Sequence, residues 1–344
     1  MTGMQAMNSR DRVLAALAGQ PVDRPPVCNP TNVSTVELMD LVDARFPDAN
    51  REPELNARLA ATSYTELGFD SIMPYFTGVL ESSALGAEIQ WEGKDNWATV
   101  RMNEPIWRTD SDVVLPADFM EHSDTAGLVR TIEILKREYP DAAVLGKTFG
   151  PWTLGYFLFG VQEFLTMSID DPEMTVRCLE RLKEISFVFG EAQIAAGADV
   201  IVFPDHVTGD LVSGEYYEKF LLEIHQEAVE TLPVPLIMHI CGYTLDRLDT
   251  VARSGMAAFH FDSKNDPQKA RDIAGDRIGL VGNINNPVTL YSKEPADVRA
   301  EVFACLDAGV DMIAPECAIP LATRLENLIE IPRAVAEWSR RNAA

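Results

Sequence analysis

The sequence predicts a single (β/α)8 TIM barrel spanning residues 1–344, on three observations. Strand-like and helix-like stretches alternate eight times, which implies a parallel sheet closed most economically as a barrel. Asp205, His239, Cys241, Asp262, Asn283 and Cys317 all fall at C-terminal ends of predicted strands. In such a barrel those ends form the active face. No Gly-x-Gly-x-x-Gly follows the first strand, which argues against a doubly wound dinucleotide fold.

The elements follow in order. Asn8 to Ala18 reads as a short amphipathic helix, capped by Asn8 or Ser9 and stopped by Gly19. Pro21, Pro25 and Pro26 force an extended entry into strand one, Val27 to Asn29. Helices at Thr35 to Ala44 and Pro53 to Leu67 follow, the second ending at Gly68, before strand two at Phe69 to Phe76. Residues 80–107 break the rhythm. Glu88 to Trp91 and Trp97 to Arg101 alternate about Gly93-Lys94-Asp95-Asn96, which predicts a hairpin insertion after strand two.

Helix returns at Thr125 to Glu138, and strand three, Ala143 to Lys147, runs into a loop at Thr148 to Trp152. Helices at Tyr156 to Met167 and Glu173 to Ala196 lead to strand four, Asp199 to Pro204. Ser213 can cap a helix at Glu215 to Leu232. Strand five is the apolar run Leu236 to Gly242, set between the breaker Pro235 and the turn-former Gly242. A helix at Leu245 to Arg253, strand six at Ala257 to Phe261 and a helix at Pro267 to Ile273 come next. Strand seven at Ile278 to Gly282, a helix at Ala296 to Ala308 and strand eight at Met312 to Ala314 lead to Cys317. A helix at Glu326 to Arg341 closes the chain.

With 47% hydrophobic residues, the chain can bury a sizeable core. Its formal net charge of -24 argues against nucleic acid and anionic membrane surfaces as partners. No apolar run approaches the roughly 20 residues of a spanning helix. Met1 to Arg12 lacks the apolar core of a signal peptide, so a cytoplasmic location is expected. Five cysteines in so long a chain do not suggest disulfide staples. Cys178 and Cys305 fall in helical patterns and read as small buried apolar residues; Cys28 carries no assignable role.

Cys241 and Cys317 differ, because each ends a strand. A strand has period two, so His239 and Cys241 point to one side. His-x-Cys with a distant Cys is a three-donor zinc set with an open fourth position, the catalytic pattern. The same three residues can also be inert core, although their coincidence at two strand ends favours the metal. One imidazole and two thiolates make a modest Lewis acid suited to accepting a further thiol, whose proton is lost on coordination. Alkylation of a zinc-bound thiolate is the natural reaction. Asp262 is a fourth ligand, an acceptor behind a ligating imidazole, or polar lining. His260 shares its strand face and reads as structural. His206 follows Asp205 directly, so in an extended chain it points elsewhere; His225 and His122 carry no signal.

At this point a resemblance enters. Arg12 to Arg24, Glu81 to Glu88, Gly150-Pro151-Trp152-Thr153-Leu154 and Ala195 to Asp199 resemble the uroporphyrinogen decarboxylase superfamily. Leu280 to Asn283 and Ala314 to Pro320, with the His-x-Cys and late Cys, are similar to its methylcobalamin:coenzyme M methyltransferase branch of corrinoid-dependent methyltransferases. The resemblance implies zinc on His239, Cys241 and Cys317 with a small thiol in the open position. The methyl donor would be a methyl-Co(III) corrinoid on a separate protein docked over the mouth, and attack would expel Co(I). The reverse sense, from a methylated substrate to Co(I), uses zinc as the Lewis acid activating the donor.

A porphyrinogen decarboxylase is disfavoured, since Val27-Cys28-Asn29-Pro30 lacks that enzyme's arginine-rich segment. A non-catalytic module binding a corrinoid protein is disfavoured by the intact donor set. Asp262 and Asp205 are the candidate catalytic carboxylates, Asp205 matching an acidic position of the fourth-strand loop. Asn283 and Trp152 are the candidate cofactor contacts. Coenzyme M carries a sulfonate, for which Lys147 and Lys264 are the candidate partners.

Overall fold

Short, mostly apolar runs form the strands, seven of them in one curled parallel sheet and two in a separate antiparallel hairpin. They are β1 (Ser71–Ile72), the antiparallel pair β2 (Ile89–Gln90) and β3 (Thr99–Val100), β4 (Ala143–Lys147) and β5 (Val200–Pro204). Then come β6 (Leu236–Ile240), β7 (Ala258–Phe261), β8 (Gly279–Ile284) and β9 (Met312–Pro315). The sheet order is β1-β4-β5-β6-β7-β8-β9, every neighbour parallel, with helices on the connections. β4, β5, β6, β7 and β9 are buried at each position, as expected of parallel strands covered on both faces. The computed structural model describes residues 6–93, 96–102 and 104–342. Among these, no helix is long and apolar enough to cross a membrane.

Between β9 and β1 the sheet is closed by Val27 alone. Val27 bridges Ile313 in parallel, Cys28 N–H donates to the Ile313 carbonyl (2.9 Å), and Asp70 N–H donates to the Val27 carbonyl (2.7 Å). The first predicted strand is therefore one bridge. Pro25 and Pro26 have no N–H to pair on its entry side, and Asn29 turns the chain by accepting Thr31 N–H at 3.0 Å. Strand two is likewise cut to Ser71–Ile72, with Pro74 two residues on. The barrel is complete, but one stave is a single residue.

An ion cluster holds that stave. Asp70, fully buried, accepts Val27 N–H (2.8 Å), Arg12 Nη1 (2.7 Å), Arg24 Nη1 (2.7 Å) and Ser9 Oγ (2.8 Å). Arg12 also reaches both oxygens of Asp23, at 2.6 and 2.8 Å. The cluster lies at the start of β1, away from the C-terminal strand ends.

The hairpin forms where expected, with Ile89 opposite Val100 and Gln90 opposite Thr99. Its turn residues Lys94 and Asp95 lie outside the described residues. Trp97 packs on Phe46, ring centroids 5.5 Å apart, tying the insertion to the barrel. Two expected helices are divided. Gly160, at φ 83°, separates Pro151–Phe159 from Val161–Asp170. Leu221, off helical geometry, separates Gly214–Phe220 from Leu222–Thr231. Gly150-Pro151-Trp152, expected as loop, is the start of the first of these helices, with Pro151 in its first turn.

Candidate metal centre at the barrel mouth

β6 delivers two donors. His239 registers beside Pro204 of β5 and His260 of β7, and Cys241 follows on the same side. β9 delivers the third, Cys317, two residues past its end. His239 Nε2 lies 3.1 Å from Cys241 Sγ, the two thiols are 3.4 Å apart, and Cys317 Sγ is 3.7 Å from His239 Nε2. The three expected donors converge within one triangle.

Their protonation suits a cation. His239 Nδ1–H donates to the His260 carbonyl at 3.2 Å, which leaves the Nε2 lone pair facing the thiols. Burial holds the His239 imidazole well below its ordinary pKa, helped by the neighbouring His260 and His206 rings. His260 packs on His239 with centroids 4.5 Å apart, and its Nε2–H donates to the Pro315 carbonyl at 2.8 Å. Burial lowers it to about 4. The two thiols share a hydrogen bond. That hydrogen bond draws Cys317 below the ordinary thiol range and, with burial, pushes Cys241 above it. Cys317 is the thiol readier to ionise.

His206 corrects the sequence expectation. Its Nε2 approaches Cys241 Sγ to 3.7 Å, and His206, His239 and Cys241 each offer a donor atom within 4.8 Å of the others. The chain does not stay extended after β5. Val207 N–H turns back to the Asp205 carbonyl (2.8 Å), and His206 N–H donates to Thr153 Oγ1 (2.8 Å). Strand alternation no longer holds there, so the ring swings inward.

Asp205 is fully buried beneath this layer. It accepts Thr153 N–H (2.8 Å) near the N-terminus of helix Pro151–Phe159 and contacts His225 Nε2 at 3.1 Å. His225 in turn meets the Tyr217 hydroxyl at 2.8 Å. A Cβ on Gly150 would come 2.4 Å from Asp205 Cγ, so this packing requires glycine. His225 lies 20 positions away on a helix, and no local pattern marked it.

Asp262 is occupied by backbone. One oxygen accepts Gly242 N–H (2.9 Å) and the other Lys264 N–H (2.8 Å), clamping the turns after β6 and β7. Asn283 extends the clamp by donating to the Asn265 carbonyl (2.9 Å) and the Asp262 carbonyl (3.3 Å). Glu316, absent from the sequence reading, does the same by accepting Ser263 and Asn286 N–H, each at 2.8 Å. Trp152 is fully enclosed, with Phe164 and Phe220 rings at 5.1 and 5.6 Å.

A cavity of about 250 Å³ opens beside the donors, lined by His206, His239 and Cys317 and walled by Phe76, Trp97, Phe149 and Phe157. Lys147, at the end of β4, is its cation. The ammonium donates to the Thr31 carbonyl (2.9 Å) and the Tyr75 carbonyl (3.0 Å). Burial lowers it to about 7, against the opposing pull of Glu81 and Cys317. Lys264 stands outside, paired to Asp210 at 2.7 Å. Two thiols, neutral imidazoles and a cavity walled by four aromatic side chains can hold a thiophilic metal beside a small organic molecule.

Comparisons with known proteins bear on the family and the fold. The family model described as Uroporphyrinogen decarboxylase (URO-D) matches residues 8–338. A methylcobamide:CoM methyltransferase, MtaA, of Methanosarcina barkeri is 33% identical over 339 residues, covering 97% of this chain and 99% of that one. A methylated-thiol–coenzyme M methyltransferase of Methanosarcina mazei is 27% identical, covering 96% and 90%. A solved structure, a methyltransferase from Methanosarcina mazei, superposes with a TM-score of 0.92 at 32% identity, over 96% of this chain and 99% of that one.

Proposed function

Because the chain belongs to the uroporphyrinogen decarboxylase family, in its methylcobamide:coenzyme M methyltransferase branch, we propose that it moves a methyl group between a corrinoid on a separate protein and a small thiol. Zinc is held by His239, Cys241 and Cys317. The observation that carries this is the donor triangle at the mouth, with edges of 3.1, 3.4 and 3.7 Å. Tetrahedral zinc with sulfur and nitrogen ligands has donor–donor edges of about 3.4–3.8 Å. Two of the three edges fall in that range and the His239–Cys241 edge is about 0.3 Å shorter, so the donor set fits the ion with a small outward shift of one side chain. When bound, zinc lowers the proton affinity of a coordinated thiol so that its sulfur is a thiolate at neutral pH.

The chain's own groups do the rest. The His260 carbonyl keeps the proton on His239 Nδ1 and the lone pair on Nε2. Asp262 and Asn283 hold the two turns that carry Cys241 and its neighbours, which makes them positioning residues. The aromatic walls exclude water from the reacting sulfur, and Lys147 offers its ammonium to an anionic group on the substrate. The exposed apolar residues Leu211 and Tyr243, after β5 and β6, give a corrinoid protein something to cover at the rim. No arginine lines the cavity among the described residues, which weighs against a porphyrinogen with several carboxylates.

The test is zinc stoichiometry followed by methylcobalamin with a panel of small thiols. About one zinc per chain and loss of methylcobalamin absorbance with one thiol is the expected result. Zinc without demethylation, but with methylation of Co(I) by a methylated thiol, would set the direction in reverse. Protein without zinc would return it to the wider family with no assigned chemistry.

Asp262→Asn separates holding from ligating. Both oxygens already accept backbone N–H groups, so the variant is expected to keep its zinc after dialysis. Methyl transfer should fall by roughly 10-fold as the turns loosen. Metal lost in parallel with activity would instead make Asp262 a direct ligand.

A further inference from the structure

A buried ammonium has three N–H bonds to satisfy, and Lys147 meets two acceptors. Its nitrogen donates to the Thr31 carbonyl at 2.9 Å and the Tyr75 carbonyl at 3.0 Å, and among the described residues no carboxylate pairs with it. Two carbonyls match the two N–H bonds of a neutral amine, which leaves one position on nitrogen, a lone pair or a third N–H. We infer that Lys147 is the base that takes the proton of the entering thiol at that position. This rests on the reading that a small thiol reacts beside zinc held by His239, Cys241 and Cys317.

The main chain sets the amine in place. Lys147 N–H donates to Gln193 Oε1 and Gln193 Nε2 donates back to the Lys147 carbonyl, each at 2.8 Å, with Gln193 fully buried. From the end of β4 the side chain reaches the segments after Val27 and after β1, its nitrogen 4.3 Å from the centre of the Tyr75 ring. Lys147 is 5% exposed and lines the same cavity of about 250 Å³ as His239 and Cys317. In a cavity of that size a small thiol, or one water, spans the gap between nitrogen and sulfur that proton transfer must cross.

The titratable groups facing Lys147 are Glu81, Tyr75, His206, His239 and Cys317. Glu81 is buried and already accepts the Tyr75 hydroxyl and Phe149 N–H. Burial holds both imidazoles below their ordinary range and the Tyr75 phenol above its own, so none of the three changes charge near neutral pH. Burial lowers Lys147 to about 7, against the pull of Glu81 and Cys317, which is the range a base needs at neutral pH. The S–H bond breaks, its electron pair stays on sulfur, and the proton becomes the third N–H of the ammonium. The anionic group that the ammonium then faces is the sulfur itself. In the reverse sense the ammonium returns the proton to the departing thiolate. No oxidation state changes.

The experiment titrates the full chain, carrying one equivalent of zinc, with 2-mercaptoethanol in buffers of different ionisation enthalpy, which counts protons released per thiol bound. Wild type is expected to release about one proton at pH 6, where Lys147 is already charged, and about a quarter or less at pH 8. Lys147→Met should release about one at both. Lys147→Arg keeps a cation that cannot give up its proton, so it should match the Met variant. Affinity follows the same count, since each released proton is a factor of about ten per pH unit. From pH 7.5 to 8.5 the variants should bind the thiol about tenfold tighter, and wild type less than about twofold. One proton released by wild type at both pH values overturns the inference and leaves the zinc reading standing, whether or not the variants fold. No zinc, or no thiol bound, in wild type overturns both.

Discussion

Cys317→Ser is expected to lose zinc and methyl transfer together, each by at least about 100-fold, while the barrel stays folded. Serine keeps nearly the size of cysteine but offers a hard hydroxyl that does not ionise at neutral pH, so His239 and Cys241 remain as the only two soft donors of the triangle. Cys317 is the thiol drawn toward ionisation by its hydrogen bond with Cys241. Folding should tolerate the change, because Cys317 lies in the turn after β9 and is partly exposed. Zinc per chain after dialysis, demethylation of methylcobalamin, and the thermal midpoint are the three readouts. Full zinc with full activity would falsify the metal assignment.

Asp70→Ala is expected to cost about 3–5 kcal/mol of stability, read as a large fall in the urea midpoint. The reason is what the substitution leaves behind. Arg12, almost fully buried, would lose one of two carboxylates, Arg24 would lose the one it has among the described residues, and Val27 N–H would lose its acceptor. An unpaired buried charge is far more costly than an exposed one. Asp210→Ala, which breaks the exposed pair with Lys264, is the control and should change stability by no more than about 1 kcal/mol. A small effect at Asp70 would mean that the arginines find water, and that Val27 does not depend on the cluster to close the barrel.

Much of this molecule was legible in the chain. Leu236 to Ile240 reads as a buried strand because six apolar or neutral residues lie between Pro235 and the turn glycine Gly242, and β4 and β9 read equally well. His239 and Cys241 share a side by strand periodicity alone, and the eightfold alternation brings strand ends to one rim. Other features were not legible, for identifiable reasons. The first strand is a single bridge because pairing requires N–H donors that its prolines lack, and the extent of a ladder depends on both neighbours. Trp152 carries a strong motif signal, yet its ring is walled in by residues from other helices.

The sequence by itself determined the barrel, the rim and the three soft donors, because each follows from a local period or from the identity of the side chain. Only the tertiary structure decided which groups are free to act. Asp262 accepts Gly242 and Lys264 N–H groups on its two oxygens, a tie between two turns that its place in the sequence did not mark. Asp205 was bound to His225 across 20 residues, and His206 was turned inward by a bend pinned at Thr153, 53 residues away in the chain. A side chain's chemistry is intrinsic, but its vacancy depends on which distant donors and acceptors have already taken its lone pairs and protons. That is settled only when the chain has packed.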